Sequence, residues 1–516
     1  MIGQDKFKEI FDEYKDKRKI LFYGDPDVDG LMSLLLMCQW GDMMGLSYTY
    51  YVNDDRYHGF TIDPKKLNGY LVIAADFTIT EKEMQALVDS NVVVLSTDHH
   101  TCQKEFIDVS NEEKGTRGIV INNQYPFEPE TDEFLSGAGV FYELICSLYP
   151  EFKSDVREAI VGITLLSDVR AIENNNKARR YLNKAFRADT SQGYIKYLVQ
   201  STIGNDFGFG TPKLDRNFID YKLSPYINAL LRANKTAEAI DFVLGRGAIG
   251  SEYRDLQKEL TEVMKARASK LELPNIAILA VNELDFLEYK VKISSYIGLL
   301  CSAWKDGHQG ISVLGFTYGN GKITRCSFRG RFDDIHYQTG FRNLGIHAEG
   351  HPTAFGIQDF EPTQDTWNEL NDLIGELEEG HHETIKIIPV SNFAVYATQH
   401  GMETANHNIY VRDMYRTYWK YTGTNYKVVQ TTYKEVEFTD DDYKAGRVAD
   451  RTYKGKSYKY VKDENGKPIA KYIKYLVDGR EVKSFGTPIE EGLILPVLEK
   501  GYVSYQVKNP LYYRED

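Results

Sequence analysis

The sequence predicts an α/β protein in four parts: a doubly wound parallel-sheet domain, a long connecting helix, a smaller α/β domain and a C-terminal β-rich domain. Three observations carry this. Near-continuous apolar runs recur between polar or helical stretches in the first part of the chain. A charged amphipathic stretch, SEYRDLQKELTEVMKARASKL (residues 251–271), precedes a second strand-rich segment. Finally, 17 of the 37 tyrosines fall in residues 391–516, among Lys, Thr and Val.

The apolar runs are KILFY (19–23), LVIAA (71–75), VVVLS (92–96) and GIVIN (118–122). Runs without alternation are the mark of parallel strands buried on both faces. GLMSLLLMCQW (30–40) reads as an apolar helix entered from a tight acidic loop, and further helices are expected near 137–148 and 154–167. In the 251–271 stretch Tyr253, Leu256, Leu260 and Val263 share one face, and Pro274 stops the helix. IAILAV (276–281) and ISVLGF (311–316) restart a strand pattern that runs to about Gly356, and the tyrosine-rich remainder favours strands. The expected boundaries are 1–245, 246–273, 274–384 and 385–516.

Composition narrows the function class. Five cysteines (Cys38, Cys102, Cys146, Cys301, Cys326) lie far apart without a CxxC pair, which argues against a disulfide framework or a zinc knuckle. No run approaches the roughly 18 to 20 apolar residues of a membrane span, and the Lys- and acid-rich start lacks a signal-peptide core. A cytoplasmic protein with no membrane partner is expected. A formal net charge of -13 argues against a general polyanion-coating protein but leaves room for a local basic groove.

The informative feature is where acids sit relative to strands. Asp25, Asp27 and Asp29 (GDPDVDG) follow the first strand, Asp76 ends the next, and Asp98-His99-His100 ends a third. The carboxyl ends of parallel strands converge on one edge, where such folds place ligands. Asp168 (LLSDVR) closes an apolar helical stretch and is the natural fourth contributor. Carboxylates packed together repel unless cations are present, so the cluster implies divalent metal. Mixed Asp and His ligation suits Mn²⁺ or Mg²⁺, with Mn²⁺ gaining from imidazole. Two ions roughly 3.5 to 4 Å apart could share a carboxylate and support in-line attack on a phosphate ester. Taken alone, DxDxD is equally a calcium loop or a solvated turn; the ordered conjunction is what points to catalysis.

That order resembles the DHH phosphoesterase superfamily over roughly residues 19–360. LSGAGV (135–140) is similar to the family's Gly-rich helix entry, and ITLLSDVRAI to its fourth acidic motif. The resemblance implies that Asp27 serves one ion, that Asp29, His99 and Asp168 serve the other, and that Asp76 bridges them. It also implies that His100 meets the bridging water or the scissile phosphate, so His100 and Asp76 are the expected catalytic pair. Many relatives carry His where this chain has Tyr23. A neutral phenol is a poor ligand at pH 7, so the first metal site is expected either to be weaker or to recruit Asp25 instead.

Two segments point to the RecJ-type branch. SPYINALLRANKTAEAIDFVLG (224–245) is similar to a segment with an Asn-Ala...Arg signature, here Asn228, Ala229 and Arg232. A guanidinium there suits bidentate phosphate contact, although Arg232 by itself also reads as a surface Arg. EGH (349–351) followed by PTAFG resembles the GGHxxAAG motif of the substrate-binding DHHA1 domain, with Glu349 in place of the first Gly. Ser327-Phe328-Arg329-Gly330 stands where that domain has its phosphate-binding turn. His351 and Arg329 are therefore expected to bind substrate, with a core His and a solvated Arg as the plain alternatives.

In the last part, YKGKSYKYVKDENGKPIAKYIKY (453–475) interleaves five tyrosines with seven lysines around an Asn465-Gly466 turn. Such a stretch is either a single-strand stacking platform or a hairpin whose lysines solubilise an edge. The expected function is a Mn²⁺- or Mg²⁺-dependent, two-ion, RecJ-like exonuclease that degrades single-stranded DNA from the 5′ end to nucleoside monophosphates. The alternatives are a short-oligonucleotide or cyclic-dinucleotide phosphodiesterase and a non-catalytic nucleic-acid-binding module. Protein partners are not legible.

Overall fold

The computed structural model describes residues 3–54, 59–77, 79–100, 106–122, 135–168, 176–202, 214, 218–307, 311–332, 335–358 and 360–380, and the strands that lie within 384–515. The chain divides into two compact units, Met1–His381 and His382–Asp516.

The first unit opens with α1 (Gln4–Tyr14), whose Phe7, Ile10, Phe11 and Tyr14 form one buried face. Then come β1 (Lys19–Gly24), α2 (Val28–Met43), β2 (Tyr48–Val52), β3 (Tyr70–Ala75), α3 (Glu81–Asp89), β4 (Val93–Asp98), β5 (Phe106–Asn111), β6 (Thr116–Asn122), α4 (Gly137–Leu148) and α5 (Asp155–Ser167). The strands form one sheet in the order β2-β1-β3-β4-β6-β5. All pairings are parallel except β5 with β6. α2 packs against α4 and α5 and is apolar around nearly its whole circumference, which explains its unbroken run of Leu and Met. Trp40, fully buried on α2, sits among Phe11, Phe22 and Phe141 and ties α1 to the sheet.

The four apolar runs are the four central strands, and the helices at 137–148 and 155–167 lie where the periodicity puts them. Two strands have no such signature. β2 and β5 are the sheet edges, so their residues are only partly buried and carry no continuous apolar run.

A second six-stranded sheet follows: β7 (Ser269–Glu272), β8 (Ile276–Asn282), β9 (Ser312–Gly319), β10 (Lys322–Arg329), β11 (His347–His351) and β12 (Ala354–Gln358). Its order is β11-β12-β10-β9-β8-β7, with only β8 and β9 parallel. Helix Ile297–Gly307 makes that parallel crossover, and a Phe328, Phe341 and Phe355 cluster anchors the core. The connecting helix is shorter than its charge pattern suggests. It spans Glu252–Arg267, Ala268 turns extended, and Ser269–Glu272 pairs antiparallel with β8. Edge pairing gives those backbone groups partners that one more helical turn before Pro274 would have to find elsewhere.

In the second unit, six strands pair in the order Trp419–Lys420, Leu493–Glu499, Tyr502–Lys508, Arg480–Ser484, Ala470–Val477, Tyr426–Tyr433. The β-rich expectation for this part holds. The expected hairpin does not take the form read from the sequence. Lys456–Val461 pairs with Val448–Tyr453, while Ala470–Val477 pairs with Tyr426–Tyr433 and Arg480–Ser484. The lysine- and tyrosine-rich strands therefore belong to two different sheets, and Asn465-Gly466 lies outside the described residues.

Among the described residues Cys38, Cys146, Cys301 and Cys326 are free thiols. No helix there is long and apolar enough to cross a membrane.

Candidate active site

The acidic residues gather at a topological switch point. From β1 the chain crosses to β2 on one side, whereas β3, on the other side of β1, leads to β4. The crevice at the carboxyl ends of β1 and β3 is thus left open by diverging connections, which is where open α/β sheets bind ligands. Asp25 follows β1, Asp27 caps α2 and Asp29 lies in its first turn; Asp76 follows β3; His99 and His100 follow β4.

Local chemistry fixes each acid. The Asp27 carboxylate accepts the Gly30 N–H at 2.9 Å. A side chain at Gly30 would bring its Cβ within 2.4 Å of the Asp25 carbonyl oxygen, so the tight loop requires glycine there. Asp29 accepts the N–H groups of Gly137 at 2.6 Å and Ala138 at 3.1 Å, at the start of α4. A carboxylate at a helix N-terminus is favourably placed against the helix dipole. This is the structural use of the Gly-rich LSGAGV segment: it grips Asp29. Gly137 must also be small because a Cβ there would lie 2.6 Å from the Asp76 side chain. Asp76 itself has φ 71°, in the left-handed region, and its N–H donates to the Thr97 carbonyl at 2.9 Å. Strained backbone of this kind persists where the surroundings hold it and is concentrated at functional sites.

The side chains then converge. His99 Nε2 lies 2.9 Å from Asp76 Oδ1 and 3.7 Å from Asp29 Oδ2, and its Nδ1 lies 3.5 Å from Asp168 Oδ2. His100 Nδ1 lies 2.8 Å from Asp98 Oδ1 and 4.0 Å from Asp76 Oδ1. Three sets each offer ligand atoms within 4.8 Å of one another: Asp25, Asp27 and Asp76; Asp29, His99 and Asp168; Asp76, His99 and His100.

Asp25, Asp29, Asp76 and His99 are each at most 2% exposed. Burial, followed by the neighbouring carboxylates, pushes the Asp29 and Asp76 carboxyls well above the usual range. Neither Asp76 oxygen accepts a hydrogen bond, although one is in ion-pair range of His99. Buried carboxylates in mutual repulsion, one with no donor satisfying it, fit a bound divalent cation.

Two residues that the sequence reading did not assign complete the site. Asp98 accepts from the His100 backbone N–H at 3.2 Å as well as pairing with its ring. Asn122, at the end of β6, donates to Asp98 Oδ2 at 3.2 Å and to the His100 carbonyl at 2.9 Å. Burial opposes charge on both partners, but the Asp98–His100 pairing prevails. It raises the imidazole to about 9 and holds the carboxyl below its usual range. The available signal for Asp98 was its position directly before the two histidines; Asn122 had none.

Tyr23 points to a different task. Its hydroxyl donates to Asn53 Oδ1 and accepts from the Thr61 N–H at 3.2 Å, and its ring stacks on Phe60 at 4.4 Å. His351, from β11, reaches the cluster: its Nε2 lies 3.1 Å from Asp168 Oδ1, and its ring is 5.7 Å from that of His100. The preceding Gly350 has φ 131°, a backbone conformation that favours glycine. Arg329 is held by Ser302 at 3.2 Å and Ser327 at 2.9 Å. Arg232 donates to Gln257 at 3.2 Å, and the Asn228 side-chain oxygen is buried with no hydrogen-bond partner.

Comparison with known proteins agrees with this geometry. Residues 19–167 match the model of the DHH family, N-terminal domain. The single-stranded-DNA-specific exonuclease RecJ of Bacillus subtilis (strain 168) is 24% identical over 392 residues, 71% of this chain and 47% of the relative. The chain therefore spans about half the length of that curated relative. RecJ from Thermus thermophilus in complex with Mn²⁺ superposes with a TM-score of 0.61 at 15% identity, covering 99% of this chain and 71% of that one. An exonuclease RecJ bound to manganese superposes at 0.52 and 17% identity, covering 73% and 95%. The T. thermophilus RecJ complex with Mg²⁺ superposes at 0.55 and 12% identity, covering 98% and 69%. Residues 19–167 of this chain thus match the DHH family's N-terminal domain, and the chain has a RecJ-like fold.

Proposed function

We propose that this protein is a metal-dependent phosphodiesterase of RecJ type, an exonuclease that shortens single-stranded DNA from its 5′ end and releases nucleoside monophosphates. The observation that carries the reading is the convergence of three ligand sets, sharing Asp76 and His99, at the switch point of the parallel sheet. The relative named as a single-stranded-DNA-specific exonuclease and the Mn²⁺- and Mg²⁺-bound structural neighbours support it.

Two ions, Mn²⁺ or Mg²⁺, held by Asp25, Asp27, Asp29, Asp76, His99 and Asp168 would supply Lewis-acid stabilisation to the oxygens of a phosphodiester. The chain's own residues do the rest. Asp29 is locked by α4, so its carboxylate is fixed before substrate arrives. His100, held through Nδ1 by Asp98, keeps its other ring nitrogen for a phosphate oxygen. His351 stands on the opposite wall, and Arg329 presents a guanidinium already ordered by Ser302 and Ser327, which lowers the entropy cost of gripping a phosphate. Asn228 and Arg232 are assigned to the substrate backbone. The 5′ polarity, the preference for DNA and a cytoplasmic location follow the family resemblance.

End-labelled single-stranded oligonucleotides with Mn²⁺ test the proposal. Stepwise release from the 5′ end is expected, abolished by chelator and by Asp76→Asn, a substitution that keeps shape and tolerates left-handed backbone. Undiminished cleavage by Asp76→Asn would reject it. A length series separates this activity from that of a short-oligonucleotide phosphodiesterase, which would prefer the shortest substrates.

A further inference from the structure

Tyr23 stands in β1, two residues before Asp25. Its hydroxyl is engaged by Asn53 and Thr61 and its ring is stacked on Phe60 and packed against Phe77, all on the face of β1 that carries the loop around residues 59–61. Asn53 in turn donates to the Gly59 carbonyl at 2.6 Å, so the tyrosine works as a clamp on that loop. Its hydroxyl is thereby committed to Asn53 and Thr61.

What stands in the first set instead is Asp25, 1% exposed and within 4.8 Å ligand-atom spacing of Asp27 and Asp76. That set contains oxygen donors only. Both other sets contain imidazole: His99 with Asp29 and Asp168, and His99 with His100 and Asp76. The second, independent observation is Asp76. It is 2% exposed, belongs to the all-oxygen set and to one imidazole set, and while its Oδ1 lies 2.9 Å from His99 Nε2, its buried Oδ2 accepts no hydrogen bond.

Donor chemistry separates the two halves. Mg²⁺ is small and hard, takes carboxylate and water oxygens, and gains little from imidazole. Mn²⁺ binds carboxylates too, but nitrogen donors add to its affinity along the first-row order. Resting on the metal-dependent reading above, we propose that the two halves of this centre are chemically unequal: the Asp25–Asp27–Asp76 half is a Mg²⁺-type site, and the half built on His99 is a Mn²⁺-selective site. The protein then works as a mixed-metal centre where both ions are present, and Tyr23 is a loop clamp with no share in metal binding.

The experiment is Mn²⁺ titration of the full chain without substrate, followed by the electron paramagnetic resonance signal of free Mn²⁺, and then repeated with increasing Mg²⁺. Two Mn²⁺ equivalents are expected, of which Mg²⁺ displaces one readily and leaves the other. The Mg²⁺ concentrations for half-displacement should differ by about tenfold or more, the scale on which ligand-shell changes act. Asp25→Asn, close to isosteric and relieving repulsion in the apo cluster, should lose the Mg²⁺-displaceable equivalent and keep the other. Tyr23→Phe should keep both with unchanged affinity. Parallel displacement of both equivalents in the unaltered chain would overturn the proposal without any variant having to fold. Retention of both equivalents by Asp25→Asn, or loss of one by Tyr23→Phe, would overturn it as well. Absence of any Mn²⁺ binding would instead remove the metal-dependent reading itself, so the two failures are distinguishable.

Discussion

His351 Nε2 stands 3.1 Å from Asp168 Oδ1, while His99 Nδ1 lies 3.5 Å from the other oxygen of the same carboxylate. An acid at the end of α5 is thereby bracketed by a histidine from the parallel sheet and one from the second sheet. The contact joins the two sheets of the first unit at the candidate site.

If His351 acts there, His351→Ala should lower kcat by about ten- to a hundredfold, the usual cost of losing a partner around a metal ligand, with Mn²⁺ stoichiometry unchanged. Steady-state cleavage paired with calorimetry checks it. A rise in KM with kcat intact would show that the histidine contributes ground-state binding only.

Gly137 and Asp76 are pressed together, and a Cβ on residue 137 would lie 2.6 Å from the acid's side chain. Gly137→Ala should therefore cost about 1 to 3 kcal/mol of stability, the range for overpacking, and weaken Mn²⁺ binding because Asp76 has to move. Gly250→Ala is the control, since its Cβ would meet nothing within 4 Å. Thermal melts and Mn²⁺ titrations of both variants should diverge; equal behaviour would refute the packing argument.

Asn122 positions His100 through Asp98. Asn122→Leu should reduce turnover by about tenfold while leaving metal binding in place, since the change acts one residue beyond the group it orients. The amide resonances of His100 should shift on substitution, a readout that separates loss of orientation from general instability. Unaltered turnover would show that Asp98 holds the imidazole unaided.

All candidate ligands lie in the first compact unit, before His382. Residues 1–381 alone should bind Mn²⁺ with the stoichiometry of the whole chain. They should bind long single strands at least about fivefold more weakly if even one base stacks on the tyrosines of the second unit, at about 1 to 3 kcal/mol per base. Fluorescence anisotropy with a long and a short labelled oligonucleotide measures this. Equal affinity of residues 1–381 and the whole chain for the long strand would dismiss the stacking platform.

Much of the architecture was legible because its signals are strong and local. β1, β3, β4 and β6 are buried on both faces, so each appears as an uninterrupted apolar run. The convergence of the acids that follow them was legible because strand ends in a parallel sheet share one edge. The edge strands β2 and β5 were not, since their half-exposed faces demand no such composition. Nor was the end of the connecting helix at Arg267, where an edge-pairing opportunity on β8 outweighed a helical charge pattern.

The sequence by itself determined the sheet core and the gathering of acids at its strand ends, because burial is a property of residues and their order. Only the tertiary structure decided the rest. It stacked Tyr23 on Phe60, tied Asp98 and His100 to Asn122, and brought His351 against Asp168. Each of these depends on distances between segments remote in the chain, which no local pattern encodes.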